Sequence, residues 1–198
     1  FAVYDKPSGV LVHPQNRNTP YSLIDEAKYA FGDAANITHR IDQETSGLLL
    51  IAKHKLAERR LKIMFENRQM KKRYLALVHG EFPDLLTVDV PLLRKQDESA
   101  LVRMTVRVHE DGKPSLTHFK RLRYYADHDM SLVECEPLTG RQHQIRVHLF
   151  HVKHPIVGDP IYGQKEIDVV RFLDKEITPQ ERKTKSGAKR LLLHASQL

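Results

Sequence analysis

Asp42 stands in the stretch His39-Arg40-Ile41-Asp42-Gln43-Glu44-Thr45-Ser46-Gly47, which is polar and leaves through a glycine. The run Leu48-Leu49-Leu50-Ile51-Ala52 follows at once and is bounded like a buried strand. A loop that feeds such a strand is a good place to hold a catalytic side chain rigidly. An isolated Asp in a turn is nonetheless usually structural, its carboxylate bonded to nearby backbone amides. The other chemistry-bearing residues are weaker candidates. Twelve histidines invite a metal reading, and His148, His151 and His154 are spaced three apart. Only the first pair can share a helix face, because Pro155 ends the helix before His154. No carboxylate stands at ligand spacing in that run and there is no H-E-x-x-H pattern, so hydrogen-bonded or polyanion-facing histidines are expected instead of ligands. Ser46 and Ser115 lack a nucleophile elbow, and there is no Gly-rich phosphate loop. The sequence therefore implies neither a metal nor a cofactor.

The elements that must position these residues follow from periodicity and punctuation. Residues 1 to 13 read as extended chain broken at Pro7-Ser8-Gly9. Ser22 caps a helix carrying Leu23, Ile24, Ala27, Ala30 and Phe31 at helical spacing, with Asp25 placed as in a capping box. A second helix covers 55 to 68, with Leu56, Leu61, Met64 and Phe65 on one side. Tyr74 to Val78, Leu86 to Val90 and the alternation Val102, Met104, Val106, Val108 read as strands. Residues 116 to 125 and 130 to 136 form an antiparallel pair across Asp127-His128-Asp129. Thr139-Gly140-Arg141-Gln142 carries a T-x-x-Q capping signature ahead of Ile145, Leu149 and Val152. The segment 164 to 189 is charged, contains Pro179 and Gly187, and reads as a surface insertion with one short helix near 169 to 173. Arg190 to Ala195 returns to a strand. Strands and helices mix without strict alternation, which predicts an α+β fold with a mainly antiparallel, mixed sheet flanked by helices and loops.

Composition narrows the class. A length of 198 residues suits one domain with a sizeable core, and 40% apolar residues argue against disorder. No apolar run approaches the roughly 20 residues of a membrane-spanning helix. The lone Cys135 excludes an internal disulfide and shares a strand face with Val133, so a buried, inert thiol is expected, and with it cytoplasmic residence. The net charge is +7, and basic residues gather at Arg59-Arg60 with Lys62, at Lys71-Lys72-Arg73, at Lys120-Arg121 with Arg123, and from Lys183 to Arg190. Such patches attract polyanions, although solvated basic faces are also common. The chain opens on Phe1 rather than Met, as a trimmed fragment would, so a further segment upstream is expected. Nothing marks an internal boundary, and a single domain over 1–198, acting as a monomer, is expected.

Five motifs, in order and spanning nearly the whole chain, resemble those of RluA-type RNA pseudouridine synthases. The stretch from His39 to Lys53 is similar to the family signature HR(L)DxxTSGLLLxAK, with Ile41 in place of the usual Leu. Tyr4 to Pro14 resembles the opening motif, and Lys72 to Gly80 the tyrosine motif. Pro137 to Leu149 with His154 to Asp159 resembles a third region, and Arg190 to Ala195 the last. The family's final strand or strands are expected to be missing.

The resemblance implies the pseudouridine synthase fold and isomerisation of uridines in structured ribosomal or transfer RNA, without cofactor or metal. It makes Asp42 the catalytic carboxylate, Arg146 the cation that holds it ionised, and Tyr74 the ring that packs on the target base. It gives Arg40 the vacated position in the base stack after flipping. Arg141 is a candidate for phosphate contact and Leu193 for an apolar wall of the pocket, a part that Leu191 on the same strand face could also take. Two other readings remain. One is a catalytically silent RNA-binding module, against which an intact Asp42, Tyr74 and Arg146 argue. The other is a metal-dependent hydrolase, against which the missing acidic ligands argue.

Overall fold

A computed structural model describes residues 1–14, 16–96 and 104–198. In chain order its first elements are β1 (Ala2–Lys6), α1 (Leu23–Phe31), β2 (Asn36–Ile37), β3 (Ser46–Ala52) and α2 (Lys55–Glu66). Next come β4 (Arg73–His79), β5 (Leu85–Asp89), β6 (Leu92–Gln96), β7 (Met104–Val108), β8 (Leu116–Tyr125) and β9 (Met130–Pro137). The last are α3 (Gln144–His151), α4 (Glu166–Leu173), α5 (Pro179–Ser186) and β10 (Leu193–Gln197). The chain divides into two compact units, Phe1–Lys72 with His194–Leu198, and Arg73–Leu193.

The first unit is organised on β3. Its run Leu49 to Ala52 is buried on both faces, as an apolar strand without alternation should be. β1 and β2 pair with it antiparallel, while His194 and Ala195 of β10 pair with it in parallel opposite Ser46 and Gly47. Gly47, at φ 110°, lies so close to Ala195 that any Cβ would collide with that residue's backbone. The loop carrying Asp42 therefore enters the sheet through a position only glycine fills. α1 begins as expected: the Asp25 carboxylate accepts from the backbone N–H of Ser22 at 2.9 Å and from its hydroxyl at 2.7 Å. α2 is rotated from the expected face. Leu56 and Met64 are exposed, and Leu61 packs with Leu50 and Ala52 while Ala57 and Phe65 flank them. Glu58 shares the inward side and is satisfied by Asn36, Lys55 and Lys62 at 2.6, 3.1 and 2.7 Å.

The second unit is built on an antiparallel series in which β4 pairs β9, β9 pairs β8 and β8 pairs β5. β9 alternates strictly, with Ser131, Val133, Cys135 and Pro137 inward. β6 and β7 form a separate hairpin. β6 was not among the expected strands, and Val102, which opened the expected alternation, lies outside the described residues. The α+β class with a mainly antiparallel sheet is what the chain has, β3 and β10 supplying the parallel pair. Two local readings change. The T-x-x-Q signature does not cap α3, whose first turn starts at Gln144 after His143 at φ 54°. Instead the Gln144 side chain closes the preceding turn, its Oε1 accepting from Thr139 Oγ1 at 2.8 Å and Arg141 N at 3.0 Å. The charged insertion holds two helices rather than one. α5 has Thr178 as N-cap, Pro179 in its first turn, Glu181 closing a capping box and Gly187 as a left-handed C-cap.

Candidate active site

The first unit carries Arg40 and Asp42, and the second carries Tyr74, Arg141, Arg146 and Leu193. Asp42 is half-buried on a tight turn, its carbonyl accepting from Thr45 N at 3.1 Å. The backbone after it is held by the Pro7-Ser8-Gly9 turn. Gln43 O accepts from Gly9 N at 2.9 Å, Gln43 Nε2 donates to Gly9 O at 2.9 Å, and Ser8 Oγ donates to Glu44 O at 2.6 Å. Beneath them lies Lys6, only 1% exposed, whose ammonium donates to Pro7 O and Val10 O at 2.8 Å and to Gln43 O at 2.9 Å. Burial pulls the Lys6 pKa down to about 8, against the attraction of Glu44 and Asp42, which raises it.

The side before Asp42 is fixed by packing. His39 Nε2 accepts from Leu50 N at 3.0 Å and its ring lies 4.6 Å from that of Phe65. Burial, with Lys72 adding to it, holds this imidazole at a pKa of about 4, so it is neutral at pH 7. Ile41 is buried, whereas Arg40 between them is exposed. Arg40 belongs to a cationic group with Lys62 and His13, and both cations reinforce the lowering of the His13 pKa that burial begins.

In the second unit Tyr74 is buried on β4 opposite Cys135. The Cys135 thiol is wholly enclosed and burial pushes its pKa up, which makes it the inert thiol expected. Arg146 is no helix-surface residue. α3 is buried from Gln144 through Leu149, and the 2%-exposed Arg146 donates to Asp159 through Nε at 2.8 Å and Nη2 at 2.9 Å. Asp159 also accepts from Ile161 N and Tyr162 N at 2.8 and 3.0 Å, and the guanidinium lies 5.0 Å from the Tyr162 ring centre. Arg141, half-buried, donates from Nε to Pro114 O at 3.1 Å, and Leu193 is buried at the start of β10.

The spaced histidines have separate occupations. His148 is enclosed between Ser115 and Thr117 at 3.2 and 3.0 Å, His154 contacts His79 O at 2.9 Å, and His151 is exposed. Among the described residues no group of three or more His, Cys, Asp or Glu is placed to hold a metal ion, and no helix is long and apolar enough to cross a membrane.

Residues 1–151 match the family model described as RNA pseudouridylate synthase. The chain belongs to that family. An uncharacterized RNA pseudouridine synthase of Helicobacter pylori strain J99 is 37% identical over 198 residues, which are all of this chain and 65% of that protein. The ribosomal large subunit pseudouridine synthase C of Salmonella typhi is 39% identical over 199 residues, 99% of this chain and 58% of that protein. Among solved structures, the human RNA pseudouridylate synthase domain containing 1 superposes with a TM-score of 0.72 at 30% identity, covering 98% of this chain and 71% of that one. The chain thus spans about 60% of the length of these bacterial relatives.

Two residues that hold the fold together were not singled out from the sequence. Lys6 had a readable signal, because on β1 it shares the inward side with Ala2 and Tyr4. Asp159 had none beyond its place in a motif, since nothing in the spacing of Arg146 and Asp159 announces a contact.

Proposed function

We propose that this protein isomerises uridine to pseudouridine in RNA, with Asp42 as the catalytic carboxylate. In that reaction the C1′–N1 bond breaks, the uracil turns, C5 bonds to C1′, and the proton lost from C5 is balanced by one gained at N1. The bonds and protons balance without a redox partner. The step asks for a carboxylate at the ribose–base junction, acting on C1′ as nucleophile or on the sugar as base. The observation that carries the reading is the Asp42 turn: a half-buried carboxylate on backbone clamped from both sides, in a chain of this family.

The other roles follow the same reading. Tyr74 stacks on the uracil, an aromatic face being suited to a base ring, and Leu193 supplies apolar wall. Arg146 supplies the cation that keeps the catalytic carboxylate ionised. A uridine in a stem must leave its stack before its sugar is reached, and the exposed Arg40 fills the gap. Arg141 and exposed basic residues such as Arg59 and Arg60 hold phosphates, which fixes position without reading sequence. Not every basic residue serves this purpose, for Arg121 is committed to Glu81 at 2.8 Å and Asp84 at 2.6 Å. The names of bacterial relatives favour large-subunit ribosomal RNA over transfer RNA as the substrate, and a cytoplasmic place of action goes with that reading. The test is pseudouridine formation on bulk unmodified ribosomal RNA. The wild-type protein is expected to form it with or without a chelator, and no product from a folded wild-type protein would overturn the reading.

A further inference from the structure

We propose that Arg182, on α5 of the charged insertion, is a positioning residue for Arg146, acting through the Gly158–Asp159 turn. The inference rests on the reading of Arg146 as the cation at the catalytic carboxylate, and extends it to a helix outside the motifs. The insertion lies beyond residues 1–151 that the family model matches, between the motif ending at Asp159 and the one opening at Arg190. Charged surface insertions usually run loosely over the fold. Instead α5 grips the backbone beside the partner of Arg146. The Gly158 carbonyl accepts from Nη2 of the half-buried Arg182 at 2.7 Å, and from its Nε at 3.3 Å. Gly158 N donates to Ser186 O at 2.7 Å, at the end of the same helix. Gly158 stands at φ 79°, and a Cβ there would collide with the Arg190 carbonyl, so the turn has no slack on that side.

Asp159 follows directly, and its oxygens hold the Arg146 guanidinium by Nε and Nη2. The direction of that guanidinium is therefore set by the placing of one turn. A two-bonded fork tolerates little rotation, because both N–H···O bonds must stay nearly straight. Arg182 is itself braced. Its guanidinium lies 5.2 Å from the Phe172 ring centre on α4, and its carbonyl accepts from Ser186 Oγ at 2.9 Å. Each step from Phe172 through Arg182, Gly158 and Asp159 to Arg146 is a direct contact or a peptide bond. All of them lie in the second unit. A charge-assisted bond to a main-chain carbonyl is stronger than a neutral one, which suits Arg182 to fixing that turn.

Arg182→Met removes the guanidinium donors and leaves an apolar stem against Phe172. At saturating RNA, and where both proteins are fully folded, its single-turnover rate is expected to fall by about tenfold, the worth of a charge-assisted bond. RNA affinity should stay within a few-fold. Arg182→Lys, which can still donate to Gly158 O, should recover most of the rate. A purely structural brace would lower the melting temperature and leave the rate alone. A wild-type rate for folded Arg182→Met therefore overturns the proposal, as does a loss confined to RNA affinity. If Arg182→Met does not fold, Phe172→Leu decides: it removes the ring beside the guanidinium, and its rate should fall by roughly a few-fold. An unchanged rate in that case overturns the proposal. Arg146→Lys, which keeps the charge and loses the fork, separates the two readings. It should be slower than Arg182→Met, and combining the two should cost little more, because both act through one guanidinium. A wild-type rate for Arg146→Lys removes the role of Arg146, and the inference with it. A slow Arg146→Lys beside a normal Arg182→Met removes only the brace. Losses that multiply in the double variant would show that Arg182 acts by another route, and overturn the inference.

Discussion

Asp42 and Asp159 are both carboxylates at turns, one in each unit, and they are held in opposite ways. Asp159 is fully enclosed, and its two oxygens accept from Nε and Nη2 of Arg146 and from two backbone amides. Every part of that group goes into structure, and the guanidinium it grips is fixed in plane and direction. Asp42 is only half-buried, and the main chain around it is clamped through Thr45, Gln43 and Glu44. A carboxylate saturated by fixed donors contributes to the fold, whereas one carried on clamped backbone can be precise and still react. Rigid support behind a partly open group is what preorganised catalysis requires.

The sharpest way to break the comparison is to unpair Asp159. Arg146→Ala should destabilise the protein by about 3–5 kcal/mol, the cost of stranding one partner of a buried ion pair. Arg146→Met with Asp159→Leu should recover much of that loss, because removing both charges also removes their desolvation. Denaturant unfolding measures both. A single Arg146→Ala protein as stable as wild type would mean that the pair does no structural work.

A smaller effect comes from two imidazoles, His39 in the first unit and His148 in the second. His39 and His148 are both held at a pKa of about 4, in each case chiefly by burial. A histidine with a lowered folded pKa contributes stability that is complete above its unfolded value near 6.5 and is lost as the pH falls toward 4. Stability should therefore decline on acidification through that window, by at most about 1.4 kcal/mol per pH unit for each group. His148→Gln should flatten the decline by removing one contributor. Equal slopes for the two proteins between pH 6.5 and 5 would show that His148 titrates alike folded and unfolded.

Much of this was legible in the chain because local rules and tertiary packing agreed. The alternation of β9, the apolar run of β3 and the Ser22–Asp25 cap each gave the element found. Where the reading missed, a second constraint had taken over. Pro179 and Gly187 were read as parts of a surface insertion, yet with Thr178 and Glu181 they are the start and stop of α5. On α2 the inward side goes to Glu58, which three partners satisfy, and Leu56 turns to solvent in exchange. On α3 burial from residue 144 through 149 erases the polar face that periodicity relies on. For the proposed site, Asp42, Tyr74 and Arg146 were named from motif resemblance alone. The grip of Asp159 on Arg146 could not, because it depends on packing thirteen residues apart in sequence.

The smallest expected effect sharpens the account of the Asp42 loop. Arg40 is exposed between two anchored neighbours, His39 and Ile41, so the loop presents it at little cost to the fold. If it fills the place of the flipped base, Arg40→Ala should slow single-turnover reaction on a folded stem-loop more than on a short unstructured RNA with the same target, because unstacking costs a few kcal/mol only in the former. Equal losses at saturation on the two RNAs would make Arg40 a phosphate contact instead.

The central claim is that the Asp42 carboxylate performs the chemistry and does not hold the RNA. The direct measurement is single-turnover pseudouridine formation by Asp42→Ala at saturating RNA, with the affinity of the same protein for the same RNA. The rate should fall by at least ~10²-fold, the least such a group is worth, while affinity stays within a few-fold. Residual activity above roughly one per cent of wild type, or a loss that follows RNA affinity instead of rate, would contradict the claim.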